Sequence, residues 1–526
     1  RVVAARARGA PLSAGRASAA VEQKKETKSA PPQKLDLAPP RGTRDFYPED
    51  LRVRTWLFGQ WRATARAFGF EEYDAPVLEN EALYVRKAGE EVTQQLYCFE
   101  DKGGRRVSLR PEMTPSLARM VLAKKPTPPL KWFSIPQCWR YERTTRGRRR
   151  EHYQWNMDIW GVPGAAAEAE TLGAVVDFFR RVGLSSDDVG IKVNSRAVLA
   201  ELLRRTCGVD ASEDPARFAA CSVLVDKLEK VPASALYDDF GALDVASGDV
   251  DALVALLEEA STAGGSLDAL EALLGDDAPG LGGLRELVDL ADAAGFADWL
   301  VIDASVVRGL AYYTGVVFEA FDRKGELRAI AGGGRYDALL ETFGGDAMPA
   351  VGFGFGDAVV LELLGDKGLV PTDLAADVDA VAFALATGDA AADAASQKGL
   401  AGVAAALRGA GVSVDVVLEP KKPKWAFKRA DRADIVSAMP AGPVSAMPFK
   451  RTAPACERYK HHRTLTRAFG RRRYADRRGA KTALMLAPDE WAAGSLVAKD
   501  LASGDQATVS ASDVAAWVRE KVAGDA

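Results

Sequence analysis

The stretch CWRYERTTRGRRREHYQWNMDIWG, residues 138–161, places six arginines in the eleven positions from Arg140 to Arg150. Guanidinium groups are planar, permanently charged forks that suit phosphate oxygens. Apolar and aromatic residues follow at once, which predicts an antiparallel β-hairpin with a basic tip. The tip should hold the phosphates of a nucleotide or a nucleic acid. The alternative for a basic run is a solvated charged loop.

The composition limits what the rest of the chain can be. Its 526 residues carry a formal net charge of −4, and 48% of them are hydrophobic. This length predicts two or three domains, and the charge argues against a general nucleic-acid coat. Five cysteines without CxxC spacing indicate free thiols in a reducing compartment. No run approaches the roughly 18 to 20 apolar residues of a membrane-spanning helix, so no membrane contact is expected.

The elements around the arginine stretch predict a sheet flanked by helices. Apolar residues at helical spacing indicate an amphipathic helix over 53–68, and a strand carrying Pro76 should follow at a sheet edge or a bulge. The pattern of 96–121 is typical of strand, Gly-Gly turn, strand and helix. Hairpins flanked by helices predict an α+β domain on an antiparallel sheet over 39–365. A stretch at about 198–298 with helical spacing and no strand pattern predicts a helical insertion.

The remaining segments predict a second domain and a leader. Alternating strands and helices over 377–526 indicate an α/β domain. A Pro-, Ala- and Arg-rich segment at about 433–475, between two copies of ADR, is expected to be a disordered loop or an untranslated stretch kept in the gene sequence. Its adjacent histidines are a poor metal site, so no metal ligand is assigned. The first twenty residues carry four arginines and no acidic residue and are rich in Ala and Ser, and a polar, Pro-containing stretch follows. This composition predicts a transit peptide and linker over 1–38, and hence a chloroplast or mitochondrial location; an ordinary disordered tail is the alternative.

The arginine stretch resembles motif 2 of the class II aminoacyl-tRNA synthetases, and its details are similar to the histidyl-tRNA synthetase family. The resemblance continues in PRGTRDFYPED, LRPEMTPSLAR, VVRGLAYYTGVVFE and AGGGRYD, and it covers roughly 39–526 apart from the segment at 433–475. RGLAYYTG is its most specific element. It implies a class II catalytic domain with a helical insertion, followed by an α/β anticodon-binding domain.

This resemblance implies a two-step ligation. ATP and L-histidine give histidyl-adenylate and pyrophosphate, and the histidyl group then passes to the 3′ end of tRNA-His. The α-phosphate charge that develops in the first step must be neutralised by arginine and Mg²⁺. A likeness of the 53–68 helix and the Pro76 strand to motif 1 implies a homodimer. By role, the residues matching the family's positions are Arg140 and Arg308 for catalysis; Arg140, Glu142, Arg148 and Arg308 for ATP; Arg143 for the tRNA acceptor end; and Glu112, Thr114, Gln154, Asp158, Tyr312, Tyr313 and Tyr336 for histidine.

Two departures and two alternatives accompany this interpretation. Motif 3 usually closes with an arginine that contacts the γ-phosphate, but here Asp357 and Ala358 stand there, and Ala311 replaces an aspartate. A non-catalytic paralogue, such as the regulatory subunit of ATP phosphoribosyltransferase, would lack the C-terminal domain and the arginine pair. A tRNA-sensing module would not need RGLAYYTG. A Rossmann dehydrogenase is excluded because the glycine cluster does not open the first βαβ unit.

Overall fold

A computed structural model describes residues 35–85, 94–228, 231–262, 266–307, 312–371, 374, 378–421 and 480–523. Within these ranges the chain forms seventeen strands and fifteen α-helices. The strands are β1 (Glu71–Glu72), β2 (Leu78–Asn80), β3 (Tyr97–Glu100), β4 (Arg106–Leu109), β5 (Leu130–Ser134), β6 (Gln137–Trp139), β7 (Glu151–Trp160), β8 (Val189–Ser195), β9 (Leu300–Ile302), β10 (Val316–Asp322), β11 (Ala331–Arg335), β12 (Ala350–Gly356), β13 (Ala380–Ala384), β14 (Val414–Val416), β15 (Thr482–Leu486), β16 (Ser495–Asp500) and β17 (Gln506–Ser510). The helices are α1 (Pro48–Ala67), α2 (Glu81–Val85), α3 (Thr114–Lys124), α4 (Ala165–Arg181), α5 (Arg196–Cys207), α6 (Pro215–Leu228), α7 (Tyr237–Gly241), α8 (Ser247–Thr262), α9 (Leu267–Leu274), α10 (Leu281–Ala293), α11 (Leu339–Thr342), α12 (Asp357–Asp366), α13 (Ala390–Gly409), α14 (Pro488–Ala492) and α15 (Val514–Ala523).

Nine strands build the sheet that carries the arginine stretch. Their order is β1-β5-β7-β12-β11-β10-β8-β9, and β6 pairs with the first part of β7. Neighbours are antiparallel except at the two edges, where β1 pairs with β5 and β8 with β9 in parallel. The main core joins this sheet to α1, α4 and α10 through side chains such as Trp61, Trp155, Phe178 and Leu287. The prediction of an antiparallel α+β fold is therefore confirmed.

The first helix and the strand after it differ in detail from the prediction. Helix α1 begins at Pro48 rather than at residue 53, because proline fits the first helical turn and acidic Glu49 and Asp50 favour its N-terminus. The prediction that a strand carries Pro76 is wrong. Pro76 lacks an amide donor and lies between β1, which is an edge strand of the large sheet, and β2, which joins β3 and β4 in a separate three-stranded sheet.

The predicted hairpin around the arginine stretch is confirmed. Strands β5 and β6 run antiparallel to β7, which also pairs with β12 along its other edge. Side chains alternate between the faces of a strand. On β7, His152 and Gln154 therefore face a cleft, while Trp155 and Met157 enter the main core. One strand thus joins the arginine loop to the interior of the molecule.

The predicted helical stretch is also present. Between β8 and β9 the described residues contain α5 to α10 and no strand. Ser195 begins the stretch, since its hydroxyl accepts the Ala197 backbone N–H at 3.3 Å and caps α5. Leucines of these helices, including Leu202, Leu253 and Leu284, are fully buried against one another and against the sheet.

The C-terminal sheet has the order β14-β13-β15-β16-β17. Strands β13, β14 and β15 are parallel, as βαβ alternation predicts, and α13 connects β13 to β14. Two further strands, β16 and β17, were not predicted, and they pair antiparallel because short connections follow β15 and β16. Residues 422–479, with the predicted insertion, lie outside the described residues. None of the described helices has both the length and the hydropathy needed to cross a membrane.

Candidate active site

An open cleft lies where three connections of the large sheet meet. They are the arginine loop between β6 and β7, the segment that leads into β11, and the junction of β12 with α12. Glycines of β11 and β12 form part of its floor. The charged and polar side chains that line it include Arg140, Glu142, Arg148, His152, Gln154 and Arg328.

The six arginines of the loop do not all point into the cleft. Arg140, Arg148 and Arg149 line the cleft. Arg146 instead pairs with Glu362 at 3.1 Å and with Asp366 on α12, at 2.6 Å between nitrogen and oxygen. The remaining two are Arg143, which is exposed outside the cleft lining, and Arg150, whose guanidinium stacks 3.9 Å above the Tyr141 ring. Three of the six arginines therefore line the cleft, two hold the loop in place, and Arg143 is exposed on the loop.

Arg140 is positioned by both of the segments beside it. Its Nε donates to the Pro111 carbonyl at 3.0 Å, and its backbone N–H donates to the Arg150 carbonyl at 2.9 Å. Its terminal nitrogens have no hydrogen bond to other described residues. The guanidinium is thus held at the cleft wall with donors available for an anion. Nearby, Arg148 forms an ion pair with Glu142, so these two side chains fix each other.

An ion-pair group behind the cleft was missed by sequence reasoning. Arg44 donates to the Asp357 carboxylate at 3.0 Å and approaches Glu151 at 3.7 Å. The Asp357 side chain is fully buried and also accepts the Tyr153 backbone N–H at 3.0 Å. Burial raises the pKa of Asp357, while Arg44 acts in the opposite direction. This first residue of α12 therefore anchors the helix to β7 and faces away from the cleft.

Two carboxylates next to the cleft are each held by a tyrosine. The Tyr312 hydroxyl donates to Glu112 Oε2 at 3.2 Å, and the Tyr336 hydroxyl donates to Asp158. Burial and the adjoining carboxylate raise the pKa of both tyrosines well above the usual value of 10.0. Both phenols therefore remain protonated donors at neutral pH. Tyr313 lies beside them, with its ring centroid 4.8 Å from that of Tyr312. The two carboxylates and the three tyrosines together form the tyrosine pocket.

The structure relates the remaining predicted residues less directly. Gln154 and Asp158 lie on the same face of β7, and the Cys138 thiol donates to Gln154 Oε1 at 3.7 Å. Thr114 is the half-buried first residue of α3 and has no side-chain hydrogen bond to the other predicted residues. Arg308 lies outside the described residues, as does Ala311.

Tyr73 is a further pocket residue that no sequence signal indicated. Its backbone N–H donates to the Phe133 carbonyl at 2.9 Å, and its ring lies 5.8 Å from that of Trp132. Burial raises the pKa of Tyr73, and the Asp158 carboxylate adds to this effect. The buried hydroxyl has no hydrogen-bond partner among the described atoms. It is therefore available to a ligand that also contacts Asp158.

Gly352 is required because its strand passes directly under this pocket. A Cβ at Gly352 would overlap the Asp158 carboxylate and lie 2.7 Å from the Met157 carbonyl and 2.8 Å from the Tyr336 hydroxyl. At Gly354, two residues along, the nearest atom would be Gln154 Oε1 at 3.5 Å, which is ordinary contact.

We expect Gly352→Ala to raise the KM for a substrate that contacts Asp158 and Tyr336 about tenfold or more, because overpacking displaces both side chains. Gly354→Ala is the matched control, and its KM for that substrate should stay within about twofold. Steady-state kinetics with that substrate varied check this. Equal effects of the two substitutions would contradict the steric argument.

His152, which lines the cleft, makes the stability of the folded chain depend on pH. Burial, together with the positive charges of Arg140 and Arg44, lowers the pKa of His152 to about 3. An unfolded histidine has a pKa of about 6.5. The unfolded chain therefore binds this proton first, so the contribution of neutral His152 to stability is present above about pH 6.5 and is lost as the pH falls toward about 3.

We expect His152→Phe to reduce the loss of unfolding free energy between about pH 7 and about pH 4.5 by about 1 kcal/mol or more. Urea unfolding of the parent chain and of the variant at both pH values measures this difference. The contributions of the other titrating groups are common to the two proteins and cancel in the comparison. An identical pH dependence in the parent chain and the variant would show that His152 is not held neutral by the fold.

An antiparallel sheet that carries an arginine-lined cleft beside a carboxylate and tyrosine pocket defines a class II aminoacyl-tRNA synthetase architecture. A sequence model described as histidyl-tRNA synthetase matches residues 42–357. The chain belongs to the histidyl-tRNA synthetase family.

Relatives of known name agree with this assignment. The chain is 52% identical over 404 residues to a chloroplastic/mitochondrial histidine–tRNA ligase of Arabidopsis thaliana, covering 76% of this chain and 79% of that protein. It is 35% identical over 474 residues to a histidine–tRNA ligase of Halobacterium salinarum, covering 89% and 94%. A solved histidyl-tRNA synthetase from Nostoc sp. shares the fold, with a TM-score of 0.63 at 20% identity over 93% of this chain and 100% of that one.

Proposed function

We propose that the chain is a histidine–tRNA ligase that activates L-histidine with ATP and transfers the histidyl group to the 3′ end of tRNA-His. The observation that carries this proposal is the position of Gln154 and Asp158 on one face of β7. Gln154 lines the arginine cleft, and Asp158 lies in the tyrosine pocket. A nucleotide in the cleft and an amino acid in the pocket would therefore meet along this strand.

Each group then has a defined chemical task. The Glu112 carboxylate faces the α-ammonium of histidine, and the Asp158 carboxylate accepts a hydrogen bond from an N–H of the imidazole. Arg140 stabilises the charge on the α-phosphate as the histidine carboxylate attacks it and pyrophosphate leaves. Arg148 and Glu142 hold the ATP, and Arg308 is the second catalytic arginine by family resemblance. Thr114, Gln154, Tyr312, Tyr313 and Tyr336 complete the histidine site.

Mg²⁺ fits the residues near the cleft. The described residues contain no group of three carboxylate, histidine or cysteine ligands that could form an all-protein metal site. Mg²⁺ in nucleotide sites is usually held by one or two carboxylates together with substrate phosphates. Glu142 is a carboxylate that lines the cleft. Together with substrate phosphates, it would hold an ion that neutralises phosphate charge.

The location in the cell is inferred from two separate features. A relative with 52% identity is a chloroplastic/mitochondrial enzyme. Residues 1–20 carry four arginines and no acidic residue, which is typical of a transit peptide. We therefore assign the protein to organellar translation. Import of a 1–38 fusion to a fluorescent protein tests this, and a diffuse cytosolic signal would contradict it.

Assembly and tRNA contacts follow from the rest of the chain. Exposed apolar side chains, Val77, Leu78, Val85 and Phe99, lie on or beside the three-stranded sheet β2-β4-β3. They support a two-fold homodimer, which light scattering at micromolar concentration would detect. Residues 377–526 form the anticodon-binding domain in this proposal, and Arg143, exposed at the arginine loop, contacts the acceptor end of the tRNA. The segment at 433–475 has no part in either contact.

The direct test is aminoacylation with purified protein. Transcripts of the organellar tRNA-His should accept labelled histidine, while a tRNA-His whose anticodon is replaced should be charged at least about tenfold more slowly. Arg143→Ala should slow charging but leave the histidine-dependent exchange of pyrophosphate into ATP unchanged. Histidine activation without transfer to any tRNA would contradict the ligase assignment.

A further inference from the structure

Arg328 is a cleft arginine that the family resemblance did not indicate. It lies in the segment between β10 and β11, and its side chain is exposed at the cleft. It forms no ion pair and no hydrogen bond with any other described residue. By contrast, Arg148 is paired with Glu142, and Arg146 is paired with carboxylates of α12. Arg328 therefore has its full set of donors available for a ligand.

The register of β11 and β12 brings the segment before β11 close to the start of α12. Ala331 pairs with Phe355, and the Gly356 N–H donates to the Ile330 carbonyl at 3.3 Å. Arg328 precedes this last contact by two residues, and Ala358 follows it by two residues in the first turn of α12. Both residues line the same cleft.

The α12 side of this part of the cleft supplies no charge of its own. The Asp357 carboxylate is fully buried and held by Arg44, so it does not reach the cleft. Ala358 contributes only a methyl group. Arg328, in the segment that leads into β11, lines the same cleft and supplies positive charge there.

The charge around Arg328 favours a polyanion. The cleft walls cover part of the otherwise exposed Arg328 side chain. This partial loss of contact with water, together with the positive charges of Arg148 and Arg140, lowers its pKa, whereas Glu142 and Glu319 raise it. An arginine remains protonated under these conditions, so the fold holds several guanidinium groups close together. A ligand with several negative charges relieves this repulsion, and an outer phosphate group offers the oxygens that a guanidinium fork recognises.

We propose that Arg328 binds the outer phosphates of ATP, which leave as pyrophosphate, from the segment that leads into β11 and lines the same cleft as Ala358. This inference rests on the proposed function, because it takes the cleft to be the ATP site. Arg328 here supplies from the segment before β11 the charge that motif 3 usually supplies from the first turn of its helix. Moving one arginine from that helix to this segment would keep the charge in the cleft while changing its position in the sequence.

Calorimetric titration of the purified full chain with ATP, pyrophosphate and AMP tests this. Arg328→Ala should weaken ATP and pyrophosphate binding about 10-fold to 100-fold, as expected for loss of charged hydrogen bonds, and should change AMP binding by less than about twofold. Arg328→Lys keeps the charge but not the fork, so its loss should be smaller. Lys324→Ala is the matched control, since it removes an exposed cation of the same connection that does not line the cleft.

A second variant tests the position. In the Arg328→Ala background, Ala358→Arg should recover at least about tenfold of the lost ATP affinity. Equal weakening of ATP and AMP, unchanged ATP binding, or no recovery with Ala358→Arg would overturn the proposal. So would Arg149→Ala producing the ATP-specific loss instead. Binding does not require an amino acid, so a parent chain that binds ATP but fails histidine-dependent exchange would disprove the proposed function separately.

Discussion

Arg140→Ala is expected to lower the rate of histidine-dependent exchange of pyrophosphate into ATP by about a hundredfold or more. Arg140 is fixed by the Pro111 carbonyl and the Arg150 carbonyl, so its guanidinium is already in place when charge develops on the α-phosphate. Loss of one such preorganised donor typically costs about 100-fold to 1,000-fold in turnover. The effect should fall mainly on kcat, because the contact strengthens in the transition state.

The control for this experiment is Arg105→Ala. Arg105 is an exposed arginine of the turn between β3 and β4, paired with Asp101 at 2.7 Å, and it lies outside the cleft lining. It should leave the exchange rate within about twofold, because exposed ion pairs contribute little. If Arg140→Ala retains near-normal turnover while its melting temperature is unchanged, then Arg140 is not the residue that stabilises the transferring phosphate.

Asp158→Asn is expected to raise the KM for histidine about a hundredfold while the KM for ATP changes by less than about threefold. Asp158 is only 2% exposed, and its carboxylate accepts the Tyr336 hydroxyl. Asparagine keeps the shape but loses the negative charge, and it places an N–H group where an acceptor is needed. A charged hydrogen bond to a buried group contributes about 1.5–3 kcal/mol, which corresponds to this change.

Tyr336→Phe separates the role of the carboxylate from its positioning. This substitution removes the donor that holds Asp158 but leaves the charge, so its effect on the histidine KM should be smaller, about tenfold. Kinetics with histidine and ATP varied in turn measure both constants. A parallel rise in the two KM values for Asp158→Asn would indicate a general disturbance of the site and would contradict a role in histidine recognition.

The parts of this fold that the sequence predicted are those set by local patterns. The hairpin of β5, β6 and β7 follows from apolar runs on either side of a basic turn, and the helical stretch follows from leucines at helical spacing. The start of α1 at Pro48 was missed because its first turn is polar and carries no apolar period. The antiparallel ending of the C-terminal sheet depends on short connections, which alternation alone does not distinguish.

The parts of the site that were missed depend on contacts between distant residues. Arg44 and Asp357 are 313 positions apart, and no local pattern indicates that they form an ion pair. Tyr73 lies close enough to be affected by the Asp158 charge because the chain after β1 is hydrogen-bonded to β5. Arg328 lines the cleft because β11, which follows it in the chain, pairs with β12. Each role requires the sheet order, which a linear pattern does not contain.

The central claim is that the pocket beside the arginine cleft selects histidine for activation. Exchange of labelled pyrophosphate into ATP, measured with purified protein and each of the twenty amino acids in turn, tests it most directly. We predict that exchange with L-histidine exceeds exchange with any other amino acid by at least about a hundredfold, because the pocket's buried polar groups are left unpaired by other side chains. Exchange stimulated equally by another amino acid, or by none, would contradict the account.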